Sequence, residues 1–217
     1  PYLFHSFNEL YPYKLYKDKY HLLAVDGSSF TFTRNPLDPD SYFAPNNKTT
    51  NGYNQVHVIP VFDILSKRYT DCIVQPIRKK NEFRALSELI DRHVPVSGSV
   101  PIFIADRGFH SLNVFAHAIE HRAYFIIRAT DVKMQRLLAC DLPVGQDCFD
   151  IRIDRILTRT TSKKKWLHPE LSEKYKTICR DVAFDYIDPE KSPEYSITLR
   201  VLRFQISDNN YENIITN

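Results

Sequence analysis

Three short apolar runs predict strands in the first part of the chain. Residues 21–27 and 101–108 are apolar until an aspartate, Asp26 or Asp106, and a glycine follows each aspartate within two positions. Residues 124–128 form the third run. Short runs bounded by turn residues are typical of buried strands. The pattern therefore predicts two buried strands that each carry a carboxylate at the carboxyl end.

A hairpin and two helices are predicted around these strands. Residues 55–62 and 68–75 are strand-like, and the five residues between them suit a hairpin. Asn81 and Ser111 are predicted N-cap residues of helices with apolar positions at helical spacing. These positions are Phe83, Leu86, Leu89 and Ile90 in the first helix and Leu112, Phe115, Ala116 and Ile119 in the second. The order strand, strand, strand, helix, strand, helix, strand predicts an α/β domain.

Beyond residue 130 the apolar pattern changes to simple alternation. Apolar and polar residues alternate over 149–154 and 195–201, and the phase of the second run shifts at Leu202, which predicts a β-bulge. The predicted organisation is a lead-in over residues 1–20, a core over 21–130 and a β-rich insertion over 131–217.

The composition indicates a globular protein without a strong electrostatic bias. Hydrophobic residues make up 43% of the 217 and aromatic residues 13%, which excludes a disordered chain. The net charge of +3 is too small to indicate nucleic-acid binding unless basic residues cluster. They do so at residues 78–80 and 163–165, although a solvated surface is the simpler interpretation. Residues 34–52 form a long polar segment of a kind that is usually functional.

The cysteines and the apolar runs of the sequence indicate the cellular compartment. The four cysteines have no metal-ligand spacing. The sequence shows no signal peptide and no apolar run near the ~20 residues that cross a bilayer. We therefore expect a cytoplasmic protein with no membrane partner.

Asp26 and Asp106 are the candidate catalytic pair. Ligands of open α/β sheets bind at the carboxyl ends of strands, so two carboxylates there can share one site. Paired carboxylates without Cys or His ligands nearby favour a hard cation such as Mg²⁺. Two such ions about 3.5–4 Å apart can activate a water or hydroxyl group and stabilise the leaving oxygen of a phosphodiester. The alternative is that both aspartates only form turns with the glycines that follow.

The segments around both aspartates resemble the acidic motifs of bacterial insertion-sequence transposases of the DDE family. Residues 22–28 resemble the first motif, and residues 104–111 with the following helix and the 124–128 strand resemble the second. The order of elements is similar to the RNase H-like fold. The resemblance covers nearly the whole chain and implies an α/β, RNase H-like mixed sheet flanked by helices, with a β-rich insertion in the C-terminal part.

This resemblance implies cut-and-paste DNA transposition. Asp26 and Asp106 would be catalytic and would bind Mg²⁺ or Mn²⁺, as a pair of ions in the complete enzyme. One strand at the terminal inverted repeat of the element would be hydrolysed, and the freed 3′-hydroxyl would attack target DNA. The implied partners are these DNAs and a second copy of the chain, in a homodimer assembled on DNA. Arg107 and His110 would contact phosphate or anchor the turn after Asp106. Residues 34–52 and the insertion over 131–217 are further candidates for contacting DNA.

The chain departs from the family pattern at the third acidic residue. In the family this residue is a glutamate in a Tyr-x2-Arg-x3-Glu-x6-Lys pattern, and no such string occurs among the 217 residues. Glu212 lies in a strand-like segment without that arginine or lysine, so we predict that it is a surface residue. We expect the pattern beyond Asn217 and predict that this chain is inactive, or nearly so.

A non-catalytic transposase remnant that only binds DNA is the first alternative. The basic run Lys163, Lys164 and Lys165 would contact the DNA backbone, and Trp166 beside it would stack on bases. Whether the full-length gene encodes the missing helix with the third acidic residue separates this remnant from the active transposase.

Two further functions have weaker support in the sequence. A haloacid-dehalogenase-like phosphatase also begins with an aspartate at a strand end, but it needs a second one where Ser28 stands. His117, Glu120 and His121 fit the H-x-x-E-H pattern of inverted zinc proteases. A pattern with three fixed positions arises easily by chance, so the apolar helix face is the simpler interpretation there.

Overall fold

Strands dominate the computed structural model, which describes residues 6, 10–47, 49–96, 98–130, 136–138, 142–143, 147–160 and 167–217. The strands are β1 (Tyr20–Val25), β2 (Ser28–Phe32), β3 (Tyr42–Phe43), β4 (Tyr53–Asp63), β5 (Arg68–Pro76), β6 (Val100–Ala105), β7 (Tyr124–Ala129), β8 (Phe149–Thr158), β9 (Tyr175–Thr177), β10 (Glu194–Ser207) and β11 (Asn210–Thr216). Helix α1 spans Glu82–Asp91 and helix α2 spans Leu112–Glu120, with 3₁₀ turns at Ile77–Lys79 and Pro169–Leu171.

These strands form one mixed sheet. Its order is β2-β4-β1-β6-β7-β11-β10-β8-β9, and β3 and β5 also pair with β4. The central strands β1, β6 and β7 are parallel, whereas β4 and β11 run antiparallel to them on either side. The expected α/β, RNase H-like mixed sheet is therefore confirmed.

The core lies between one face of this sheet and the helices. Along β1 and β6 every second residue is buried, while the residues between them are only partly buried. Helix α2 is buried over residues 112–118, and its Phe115 stacks on Phe125 of β7 with 4.5 Å between ring centroids. Replacing such a fully buried ring by alanine costs roughly 3–5 kcal/mol. The packing therefore fixes the central strands relative to α2.

Helix α1 begins where the sequence predicts and buries a slightly different face. The Asn81 side chain accepts a hydrogen bond from the Arg84 N–H at 3.0 Å and caps the helix. Leu86, Leu89 and Ile90 are buried, but Phe83 remains 42% exposed. Phe83 instead lies edge-on to His110, with 6.3 Å between ring centroids.

The C-terminal strands extend the same sheet. Strand β11 pairs with β7, and β10 and β8 follow outward. The predicted bulge at Leu202 is wrong, because Leu202 pairs regularly with Ile214 and with Asp150. The irregularity lies between Gln205 and Ser207, beyond the end of the β8 ladder, where β10 is exposed on both faces and pairs with β11 alone.

Candidate active site at the carboxyl ends of the parallel strands

The structure brings Asp26 and Asp106 to one edge of the sheet. Val25 and Ala105 are register partners in the parallel β1–β6 ladder, and each is followed directly by one of the aspartates. Neighbouring strands lie about 4.8 Å apart, so the two residues start from adjacent positions. Both are exposed.

Short turns hold the two carboxylates in place. The Gly27 N–H donates to Asp26 Oδ1 at 2.7 Å, and the Gly108 N–H donates to Asp106 Oδ1, also at 2.7 Å. The turn-forming role weighed for both aspartates is therefore real. Within the described part of the chain neither carboxylate forms an ion pair. Each turn uses one carboxylate oxygen as an acceptor, and no lysine or arginine of that part lies within ion-pair distance of either group, although Arg128 interacts electrostatically with Asp106.

A third carboxylate, Glu82, lies beside this pair. A Cβ built on Gly108 would lie 3.0 Å from Asp106 Oδ1 and 3.6 Å from Glu82 Oε2, so both oxygens border the same small space. A Cβ on Gly27 would lie 2.9 Å from Glu82 Oε1. Glycine at both turns thus allows Glu82, the first residue of α1, to approach the aspartates.

His57 of β4 contacts Glu82. Its Nε2 lies 2.8 Å from Glu82 Oε1, in an ion-pair contact that is not aligned as a hydrogen bond. The His57 ring is buried, and its Nδ1 lies 3.2 Å from the Ser29 hydroxyl. Neither Glu82 nor His57 was predicted from the sequence as a site residue. A histidine at an inward position of a hydrophobic strand was the available signal.

Glu212 is buried rather than exposed, so the prediction that it is a surface residue is wrong. Strand β11 lies between β7 and β10 in the sheet, and Glu212 is 8% exposed. Its carboxylate pairs with Arg128 at 2.5 Å and with Arg107 at 3.3 Å. The hydrogen bond from Arg128, together with the charges of both arginines, lowers the pKa of Glu212 despite burial. A carboxylate held by two guanidinium groups is poorly suited to bind a metal ion.

His110 and Arg107, the predicted phosphate contacts, both lie in the turn after Asp106. His110 Nδ1 lies 2.7 Å from the Arg107 carbonyl oxygen, which fits the turn-anchoring role. The Arg107 side chain is 46% exposed beside Asp106.

The remaining predicted DNA contacts lie elsewhere in the chain. Lys163, Lys164, Lys165 and Trp166 lie outside the described residues. In the polar segment 34–52, Arg34 Nε donates to the Asn51 carbonyl oxygen at 2.7 Å and so ties the two ends together.

The zinc-protease pattern does not assemble as written. Glu120 accepts a hydrogen bond from the Tyr195 hydroxyl at 2.9 Å and lies outside the cluster formed by the two histidines. The carboxylate beside His117 and His121 is Asp91 instead.

Comparison with known proteins decides the family. The sequence matches the family model of the transposase DDE domain over residues 17–211, which is most of the chain. The chain belongs to the DDE transposase domain family. This match leaves the phosphatase alternative without support, and it agrees with the acidic motifs around Asp26 and Asp106. None of the curated proteins matches the sequence.

A solved transposase structure is also similar. It is the cryo-EM structure of the piggyBac transposase synaptic complex with hairpin DNA, with a TM-score of 0.46 and 11% identity. The match covers 90% of this chain and 33% of that one, so this chain spans about a third of the relative.

No helix among the described residues is long and apolar enough to cross a membrane.

The DDE transposase family depends on divalent metal ions, and the residues at this edge fit such an ion. Asp26, Asp106 and Glu82 offer only carboxylate oxygens, which suit Mg²⁺ and Mn²⁺ better than softer metals. His57 lies behind Glu82 and supports it. The donor set is therefore that of a hard cation.

Proposed function

We propose that this domain performs divalent-metal-dependent DNA strand cleavage and strand transfer, with Asp26 and Asp106 as the catalytic metal ligands. The observation that carries the proposal is the register of Val25 with Ala105, because it puts the two aspartates side by side at one sheet edge. The alternative of two isolated turn-forming residues does not require them to be neighbours.

Each residue near the pair has a proposed part in the reaction. When bound there, Mg²⁺ or Mn²⁺ supplies an activated water or hydroxyl nucleophile and stabilises the leaving oxygen. Asp26 and Asp106 would hold the ions and so fix where the scissile phosphate binds. Glu82 would contribute a third oxygen ligand or orient the attacking water, and His57 keeps its side chain in place.

Arg107 is the proposed phosphate contact. Its guanidinium group is half exposed and follows Asp106 directly, while Glu212 holds one side of it. A guanidinium group presents several donors in a rigid fork that suits phosphate oxygens. His110 keeps its turn-anchoring role and orients the Arg107 backbone.

Several finer features of the proposal rest on the resemblance of the two motifs. They are a pair of ions, terminal repeats of an insertion sequence and target DNA as substrates, a homodimer assembled on DNA, and action in the bacterial cytoplasm at the nucleoid. Because the Tyr-x2-Arg-x3-Glu-x6-Lys pattern is missing from the 217 residues, we propose that this chain cleaves DNA only slowly. The two aspartates are then responsible for whatever cleavage remains.

The test is nicking of supercoiled plasmid DNA with Mn²⁺, compared between the chain and its Asp26→Asn and Asp106→Asn variants. Asp18→Asn, on the turn before β1, is the matched control. We expect slow metal-dependent nicking by the parent and the control and none by the other variants, with DNA binding retained by all. Equal nicking by all four proteins contradicts the assignment of the pair. DNA binding with no nicking by any of them favours the non-catalytic remnant.

A further inference from the structure

A second cluster of metal-ligating side chains lies at the far end of α1. Asp91 is the last residue of α1, and His117 and His121 lie at the C-terminal end of α2. One ligand atom from each residue lies within 4.8 Å of the other two. Helix α1 has ten residues and is therefore ~15 Å long, so this cluster is well separated from Glu82 at its start.

Each of the two ring nitrogens of His117 contacts a carboxylate oxygen, and a neutral imidazole cannot donate a hydrogen bond to both. His117 Nε2 lies 2.9 Å from Asp185 Oδ2, and His117 Nδ1 lies 2.5 Å from Asp91 Oδ1. A neutral imidazole has one N–H, so it cannot donate to both carboxylates. At 2.5 Å, a second proton lies between His117 and Asp91 in the metal-free protein, and a metal ion bound there would replace it.

His121 adds a third ligand group at this position. Its Nδ1 lies 3.5 Å from the same Asp91 oxygen that contacts His117. Without a metal the His121 Nδ1–H donates to the His117 carbonyl oxygen at 3.0 Å, and a bound cation would replace that proton. Zinc ligands at about 2.0–2.2 Å from a tetrahedral ion are roughly 3.3 Å from one another, so the Asp91–His121 spacing fits, whereas Asp91 and His117, 2.5 Å apart, would separate on binding.

The outer contacts also have the form of a metal site. Histidine ligands of metals usually donate their other ring N–H to a carboxylate, which fixes the tautomer and orients the ring. Asp185 fills this role for His117, and it is itself held by Asn113, which donates from Nδ2 at 2.8 Å and accepts the Asp185 N–H at 2.9 Å. Both helices end at the cluster, and the partial negative charge of helix C-termini favours a cation.

We propose that Asp91, His117 and His121 bind one Zn²⁺ ion. Two imidazoles and one carboxylate form a ligand set typical of zinc, with a water molecule or the Tyr186 hydroxyl in the fourth position. The Tyr186 hydroxyl lies 3.2 Å from His117 Nδ1. The ion would join both core helices to the segment that carries Asp185 and Tyr186, and its role is structural rather than catalytic.

Zinc titration of the metal-free protein tests this proposal. The measurement uses the chain carrying Asp26→Asn and Asp106→Asn, so that the carboxylate edge does not contribute. Calorimetry should show one equivalent of Zn²⁺, and Co²⁺ should give the visible absorption bands of a tetrahedral site. The Tm should rise by several degrees on binding.

Two variants test the proposal further, one at the proposed ligand His121 and one at Asp185, whose carboxylate contacts the ligand His117. His121→Ala should weaken Zn²⁺ binding at least tenfold, and Asp185→Asn should weaken it by about 10–100-fold. His121 is 40% exposed, so its loss should leave the metal-free fold intact, as judged by an unchanged Tm without zinc. His168→Ala, at a histidine 51% exposed elsewhere, should bind like the parent. Absence of Zn²⁺ binding, or equal binding by the parent and His121→Ala, overturns the proposal and leaves a protonated histidine network.

Discussion

At the scale of single residues, Gly27 shows how a missing side chain shapes the active edge. A Cβ at this position would lie 2.6 Å from His57 Nε2 and 2.9 Å from Glu82 Oε1, closer than real Cβ atoms approach such groups. His57 is buried and cannot move away without disturbing β4. The glycine after Asp26 therefore makes room for the His57–Glu82 contact in addition to forming a turn.

Gly27→Ala should displace Glu82 and destabilise the fold. Overpacking of this kind costs about 1–3 kcal/mol, which urea unfolding can measure, and it should also weaken Mn²⁺ binding. Ser28→Ala is the control, because Ser28 is the exposed neighbour. Identical stability and metal affinity in Gly27→Ala and the parent contradict the close approach.

Glu82→Gln tests the third carboxylate directly. If Glu82 is a ligand, Mn²⁺ affinity should fall by about tenfold, roughly 1.4 kcal/mol, because an amide binds a hard cation less strongly than a carboxylate does. Glu88→Gln on the same helix is the control, since Glu88 is 55% exposed and its carboxylate pairs with Arg92 at 3.4 Å, away from the candidate catalytic pair. An equal effect of both substitutions would point to a general charge effect.

His93 gives the protein a dependence on pH. Burial and the neighbouring charge of His21 lower the pKa of His93 to about 4, from the ordinary 6.5. Between these values the unfolded chain binds a proton that the folded chain does not, so stability is complete above about pH 6.5 and falls as pH is lowered. Asp63 acts in a separate, more acidic window: burial raises its pKa, but the hydrogen bonds from His21 and Ser66 lower it to about 2.

We therefore expect the free energy of unfolding to fall by roughly 2 kcal/mol between about pH 7 and pH 5 because of His93. Urea unfolding at both pH values measures this difference. His93→Gln should show a clearly smaller loss, whatever its stability at neutral pH. The same loss in the parent and the variant would assign the pH dependence to other groups.

At the scale of elements, the sequence predicted the buried strands well and the exposed ones poorly. The runs that become β1, β6 and β7 have an apolar pattern because their residues pack on α1 and α2. Strand β2 is exposed at all five residues, so no periodicity revealed it. Glu212 was misjudged for a related reason. Alternation predicts a strand, but it does not say that β11 lies inside the sheet.

Glu212→Gln tests whether the Glu212 carboxylate of β11 stabilises the fold. The substitution removes the charge that pairs with Arg107 and Arg128, and it should destabilise the fold by about 1 kcal/mol, because both arginines are half exposed and screened by solvent. Glu190→Gln, at an exposed turn, is the control. Thermal unfolding compares the two, and an equal Tm contradicts a structural role for Glu212.

At the scale of the whole molecule, one mixed sheet supports two separate clusters. The parallel ladder of β1 and β6 sets the positions of Asp26 and Asp106, and this convergence could be predicted because parallel strands end at the same edge. Glu82 could not be predicted in the same way, since its approach depends on how α1 packs over β4. The same holds for Asp91 and His117, which come from different helices.

The most direct test of the central claim is a double-mutant cycle on Mn²⁺ affinity, measured in the His121→Ala background to exclude the second cluster. If Asp26 and Asp106 bind the same ion, Asp26→Asn and Asp106→Asn should each lower the affinity at least tenfold, and the double variant should lose less than the two losses combined. Strictly additive losses, or single variants that bind Mn²⁺ like the parent, would mean that the two aspartates do not share a cation.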